Sequence, residues 1–248
     1  MSDPRHELPV NALYGINTVS EALHARPVDY VLVAQGSSNP RLQEIIDTCR
    51  ATGIAVRFAP RPALDRAAGT PHHQNVVAFC TPKAYDDLEA IVATTDRPLL
   101  VVLDGVEDPA NLGAIVRTVV AAGSHGVVIP ARRAAGLSPA VARSAAGALE
   151  YARIARVTNL VQALTELKER GVWVYGFEAQ ASKSYLELDY TGACALVFGG
   201  EGHGVRRLVR ETCDQLARIP LHGPFQSLNV SVATAVVLYE AARQRHLR

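Results

Sequence analysis

The sequence predicts an α/β protein in two sections, and three observations predict it. Short apolar runs alternate with amphipathic stretches of helical period along most of the chain. A proline-flanked junction, CTPKAYDDLEAIVATTDRP at 80–98, interrupts that alternation once. Beyond it the apolar runs are longer and continuous, as expected of strands covered on both faces of a parallel sheet.

In the first section a helix around Val19 to His24 precedes the strand DYVLVAQG (29–36) and the helix PRLQEIIDTCRATG (40–53). Strand IAVRF (54–58), a short helix near Ala63 to Ala68 and strand NVVAF (75–79) complete a small α/β unit with a partly parallel sheet. The boundary falls near residue 82, giving a first domain over 1–81, a linker over 82–97 and a second domain over 98–248. There PLLVVLDG (98–105) and HGVVIPA (125–131) flank a helix from about Asn111 to Ala122. YARIARV (151–157) and GVWVYGF (171–177) flank the helix TNLVQALTELKER. GACALVFGG (192–200) leads to a helix carrying RRLVRETC, and LARIPL (216–221) leads to the closing helix, SLNVSVATAVVLYEAARQR. In that helix Val232, Val236, Leu238 and Tyr239 form one apolar stripe.

Composition narrows the function classes. With 248 residues, 48% hydrophobic and 20% charged, the chain buries a substantial core. A formal net charge of +1 excludes a globally basic nucleic-acid coat and leaves local patches open. Of the 25 basic residues only Lys83, Lys168 and Lys183 are lysines, which fits either an arginine-rich genome or a use of bidentate phosphate contacts. Cys49, Cys80, Cys194 and Cys213 lie far apart with no CxxC pair, so they read as buried thiols in a reducing compartment. The histidines show no ligand spacing, and no metal is expected. No apolar run resembles a signal peptide or a membrane span, which predicts a soluble, cytoplasmic protein with no membrane partner.

Ligands of parallel sheets sit beyond the carboxyl ends of the strands, so the loops there carry the candidates. Three are unusual. In LDGVEDPANLGAIVRT, Asp108 and Pro109 form a good helix start, with Asn111 in the first turn and Arg117 six residues on, about 120° around the axis. An arginine among so many apolar neighbours is either a snorkelling side chain or a functional one. VFGGEGHGV (197–205) matches neither GxGxxG nor the P-loop; its glycines permit close backbone approach to a ligand, and Glu201 suits a cation or guanidinium. A plain turn is the other reading. The third, IPLHGPFQSLNVS, puts Ser227, Asn229 and Ser231 at the start of the closing helix, where a cap needs only one of them; Ser227 is the expected cap.

In their order and chemistry these three loops resemble the motifs of the SpoU (TrmH-like) RNA ribose 2′-O-methyltransferases, over Pro98 to the end. The first section resembles the ribosomal-protein-like RNA-binding domain fused to some members. The resemblance implies a trefoil-knotted α/β methyltransferase domain, S-adenosylmethionine as cofactor, and a guanosine ribose of 23S rRNA as acceptor. It assigns cofactor binding to the backbone at Gly199, Ile219 and Leu228, and chemistry to Arg117, Asn111, Glu201, Ser227 and Asn229, with Glu201 orienting the Arg117 guanidinium. Arg117 serves either as base or, more safely, as a positioning group, because an arginine pKa above about 12 must fall far before it accepts a proton. The resemblance further implies a homodimer with the site at the interface. DNA is excluded as a substrate because it lacks the 2′-hydroxyl. Arg132, Arg133, Arg143, Arg153 and Arg156 form one basic cluster and Arg206, Arg207 and Arg210 another, readable as solvated faces or as phosphate contacts. Pro224-Phe225-Gln226 departs from the small or β-branched residues usual before Ser227, which leaves tRNA or an antibiotic-resistance rRNA site as alternative targets. A non-catalytic RNA-binding or ribosome-assembly factor is the alternative of another class, and an NAD-binding protein a third, disfavoured by the missing fingerprint.

Overall fold

The computed structural model describes residues 12–246. Contacts divide the chain into two compact units: residues up to Ala84 together with Leu137–Tyr151, and Tyr85–Gly136 together with Ala152 onward.

The first unit opens with β1 (Ala12–Tyr14), α1 (Ile16–Ala25), β2 (Val28–Ala34), α2 (Pro40–Thr52), β3 (Ala55–Ala59), α3 (Arg61–Ala68) and β4 (Val76–Cys80). Its sheet runs β1-β4-β2-β3, with β2 and β3 parallel and β4 antiparallel to both of its neighbours. The helices α1 and α2 cover one face: Val19, Leu23, Leu42, Ile45 and Cys49 pack on Val31, Val33 and Val76. Leu64 and Ala68 of α3 cover part of the other. Strand β1, three residues long, is too short to show an alternation, and the sequence does not announce it.

In the second unit α4 (Leu88–Val92) precedes β5 (Leu99–Asp104), α5 (Pro109–Ala121) and β6 (Gly126–Pro130). Residues 85–97, expected as part of a linker, instead belong to this unit: Ile91 is fully buried in its core and Asp86 accepts from the Ile154 backbone N–H at 2.9 Å. The next segment departs further from expectation. Helix α6 (Pro139–Ala145) and a 3-10 turn (Ala148–Glu150) fall with the first unit rather than with the domain that surrounds them in sequence. Ser138 caps α6, Arg26 and Glu150 form a buried ion pair, and the Cβ of any residue replacing Gly147 would meet Glu21.

The chain then returns through β7 (Ile154–Val157), α7 (Leu160–Glu169), β8 (Trp173–Phe177), β9 (Lys183–Ser184), β10 (Cys194–Gly199), α8 (Arg207–Thr212), β11 (Gln215–Arg218) and α9 (Val230–His246). The seven strands lie in the order β7-β6-β5-β10-β8-β11-β9, all parallel, and β5 and β10 at the centre are buried along nearly their whole length. In α9 the expected stripe is split. Leu238 is buried with Val230, Thr234 and Val237, whereas Val232 and Tyr239 are 48% and 57% exposed. The reason is angular: Val232 and Tyr239 are seven residues apart and share a face that the described residues leave largely open.

Candidate active site

Asp108 caps α5 as the sequence predicts, accepting from the Ala110 backbone N–H at 3.0 Å, with Pro109 in the first turn. This start places Asn111 at the carboxyl end of β5. Its amide nitrogen donates to the Glu201 carboxylate, and its oxygen accepts from the Asn229 amide at 3.0 Å. The Asn229 oxygen in turn accepts from the backbone N–H of Ser231 at 2.8 Å and from its hydroxyl at 2.6 Å. Residues 111, 201 and 229, from three separate loops, therefore form one chain of hydrogen bonds. The helix cap is Asn229 rather than Ser227, because only the Asn229 side chain reaches a first-turn amide. Ser231 is the member to which the sequence assigned no role.

Glu201 is presented by a loop that the rest of the fold fixes rigidly. Asp104, at the end of β5, is fully buried and holds Arg206 through the Arg206 backbone N–H (2.8 Å) and Nε (2.6 Å). The Gly200 N–H donates to the Asp104 carbonyl at 2.8 Å, and Gly200 bridges Gly204. A Cβ on Gly200 would lie 1.7 Å from the Gly105 carbonyl oxygen, and one on Gly199 would lie 1.9 Å from the Gly204 backbone. These glycines are required by backbone crossing backbone, whatever ligand they also face. Sequence reasoning missed Asp104; an acid ending a run of five apolar residues was the available signal.

The opposite wall is open. From Pro220 to Leu228 no hydrogen bond is made among the described residues, and the whole stretch is exposed, with Phe225 at 80% and Leu228 at 38%. Ile219 lies just past β11, half-buried. Ser227 takes no part in the network. Nor does Arg117, which is exposed and whose side chain makes no hydrogen bond or ion pair with any described residue. Within the chain no hydrogen bond joins Glu201 to Arg117: Glu201 is held by Asn111, and Arg117 lies six residues further along α5, about 9 Å along the axis and on another face.

The basic clusters also separate. Arg143 belongs to the first unit, lying over the Tyr14 ring and donating to the His72 carbonyl. Arg156 donates to the Ala131 carbonyl at 3.0 Å, and Arg210 lies 3.7 Å from Glu178. Arg206 is committed to Asp104.

An S-adenosylmethionine molecule needs main-chain donors and acceptors for its adenine and a surface without strong positive charge near its sulfonium. Residues 220–228 supply backbone groups that have no partner among the described residues, and the network itself carries the Glu201 carboxylate and no cation, so the residues present fit that cofactor. Among the described residues no group of His, Cys, Asp and Glu side chains could hold a metal ion, and no helix is long and apolar enough to cross a membrane. Burial pushes the Cys213 thiol up to about 12 and that of Cys194 up to about 11, which makes both poor nucleophiles.

Comparison with known proteins covers both units. The sequence pattern of the SpoU rRNA methylase family matches residues 98–239, and that of the RNA 2′-O ribose methyltransferase substrate-binding domain matches residues 12–86. The chain is 44% identical over 239 residues to the 23S rRNA (guanosine-2′-O-)-methyltransferase RlmB of Xanthomonas campestris, covering 94% of this chain and 96% of that one. To the enzyme of the same name from Escherichia coli it is 40% identical over 238 residues, covering 94% and 98%. Among solved structures, the SpoU methyltransferase AviRb of Streptomyces viridochromogenes in complex with the cofactor AdoMet superposes with a TM-score of 0.81 at 27% identity, covering 96% of this chain and 91% of that one.

Proposed function

This chain belongs to the SpoU rRNA methylase family, and from that premise we propose that it transfers the methyl group of S-adenosylmethionine to the ribose 2′-hydroxyl of a guanosine in 23S rRNA. The observation that carries this reading is the hydrogen-bonded set Asn111–Glu201–Asn229–Ser231, drawn from the three loops whose motifs resemble the family. The names of the relatives support 23S rRNA over tRNA as the acceptor.

When bound, S-adenosylmethionine supplies an electrophilic methyl group. The work left to the protein is positioning: aligning the acceptor oxygen, excluding water and receiving a proton. Gly199, Ile219 and Leu228 hold the cofactor through their main chain. Glu201 fixes the Asn111 amide and Asn111 fixes that of Asn229, so both side chains meet the ligand in set orientations. Arg117 orients the hydroxyl and the neighbouring phosphate by charge-assisted hydrogen bonds, and Ser227 completes the set. Because Arg117 has no partner among the described residues of its own chain, it serves the site of a second copy. The exposed Val232 and Tyr239 of α9, with Phe225 and Leu228 nearby in sequence, supply apolar surface for such a homodimer. The first unit contributes RNA affinity rather than chemistry. The buried, unreactive thiols suit the cytoplasm, where ribosomal RNA is made.

The test uses the chemistry of RNA itself. Alkali cleaves RNA through the 2′-hydroxyl, so a methylated ribose leaves one alkali-stable dinucleotide. With labelled cofactor and a 23S rRNA transcript, the label should appear in such a dinucleotide beginning with guanosine. Label appearing only in tRNA would overturn the target, and cofactor binding with no transfer to either RNA would favour the non-catalytic factor.

A further inference from the structure

A cleft of about 540 Å³ opens beyond the carboxyl ends of β6 and β7, against the start of α8. Arg132, Arg133, Arg206 and Arg207 line it together with Thr158 and Leu208, and no acidic side chain does. Four guanidiniums around one cavity repel one another unless counter-charge is supplied. The chain supplies part of it: Arg206 is matched by the buried Asp104, and Arg207 reaches Glu211 at 2.9 Å on the exposed side of α8. Arg132 and Arg133 are exposed and make no hydrogen bond or ion pair with any described residue. Arg133 also holds φ at 56°, a left-handed conformation that costs a non-glycine residue energy and that concentrates at ligand clamps.

We propose that this cleft binds the phosphodiester backbone of the RNA strand beside the target nucleoside, with Arg132 and Arg133 as the principal contacts and Arg207 as a third. Planar guanidiniums match phosphate oxygens in pairs, which explains the residue type. The volume argues for a stretch of strand rather than one small anion, since it lies in the range of sites for whole nucleotide-sized ligands. The 56%-exposed Leu208 offers an apolar face to a ribose or base. The position also fits: Arg206, on the cleft wall, is held by the same Asp104 whose carbonyl accepts from Gly200, next to Glu201. A strand seated there runs on toward the hydrogen-bonded set. Spacing along the sequence joins eight arginines in two clusters; the structure puts four of them, Arg132, Arg133, Arg206 and Arg207, on this cleft and commits Arg206 to Asp104.

The inference rests on the RNA methyltransferase reading, so the assay separates the two. Binding of a 23S rRNA fragment is measured by fluorescence anisotropy against salt, alongside kcat, KM and S-adenosylmethionine affinity, for the full chain and for R132A/R133A. The logarithmic salt slope should fall by roughly 1.4, about 0.7 for each single-strand phosphate that is no longer neutralised, with KM raised about tenfold. Cofactor affinity should not move, and kcat should stay within about twofold. A second variant, R132A/R133G, relieves the left-handed backbone and should melt no lower than the wild type while binding RNA equally poorly. An unchanged slope and KM in both variants would overturn the cleft, whether or not the wild-type protein methylates RNA. Displacement of RNA by millimolar inorganic phosphate at matched ionic strength, from the wild type alone, would assign the cleft to a free anion instead. Absence of methyl transfer by the wild type would overturn the enzyme reading without touching the binding result.

Discussion

The two walls of the site differ in kind. The Gly199–Arg206 wall is closed: it crosses the Gly105 backbone at touching distance, is tied to a buried carboxylate and presents Glu201 to a partner already in place. The 220–228 wall is open and makes no hydrogen bond among the described residues, as is true of the Arg117 side chain. What one chain closes is the part of the site that must be rigid before any ligand arrives. What it leaves open is the part where the proposed function seats a cofactor, an RNA strand and a second copy.

The largest effect that would sharpen this contrast comes from Gly200→Ala on the closed wall. A methyl group cannot occupy a place 1.7 Å from a carbonyl oxygen, so the variant should lose more than ~3 kcal/mol of stability in urea unfolding or fail to accumulate as folded protein. A near-neutral result would mean that the crossing is loose. Next, Asp104→Ala leaves Arg206 without its partner and Gly200 on a disturbed strand end, and should cost about 3 kcal/mol. On the open wall the ranking reverses. Leu228→Trp, which crowds the main chain proposed to hold the cofactor, should leave the melting temperature unmoved and weaken S-adenosylmethionine binding roughly fivefold, on the order of 1 kcal/mol, by calorimetry. Loss of stability there, rather than of affinity, would make the wall structural and break the comparison.

How much of this was legible in the sequence follows the range of the interactions. Asp108-Pro109 announces α5 because the cap acts over two residues, and the apolar runs announce the strands because burial acts on each residue in turn. The resemblance of the three loops to the SpoU motifs named Asn111, Glu201 and Asn229, which the fold brings into hydrogen-bond contact. The pairing of Asp104 with Arg206 spans 102 residues and leaves no local trace. Nor does the allotment of Leu137–Tyr151 to the first unit, since its single basic residue, Arg143, and its small apolar ones read equally well as a solvated helix. Val232 and Tyr239 fit a buried stripe by spacing alone, and only the positions of α5 and the sheet show that their face is left largely open among the described residues. Arg117 left two readings open in the sequence; its side chain is exposed and has no partner among the described residues, and the role proposed for it lies at the site of a second copy.

The smallest effect is a control at the far end of β5. His125 accepts from the Leu99 backbone N–H through Nδ1 at 3.0 Å, and burial, with the nearby Arg245 charge, lowers its pKa below 6.5. The folded protein therefore binds this proton more weakly than the unfolded chain does. Its contribution to stability is present above about pH 6.5 and is lost as the pH falls below that value. Urea midpoints from pH 7.5 down to about 5.5 should decline less steeply in His125→Gln than in the wild type. Cofactor affinity per folded molecule should not follow, because nothing on the open wall is involved.

The claim that the open half is completed by a second copy meets its most direct test in mixed dimers. Arg117→Ala and Asn229→Ala proteins, each inactive alone, are combined under conditions where subunit exchange is verified by differential labelling. If each site takes Arg117 from one chain and Asn229 from the other, one site of every heterodimer is wild type in both, and ribose methylation returns to at most about half of the wild-type rate. If both residues of a site come from the same chain, every site carries a defect. Verified exchange with no recovered methylation would contradict the account.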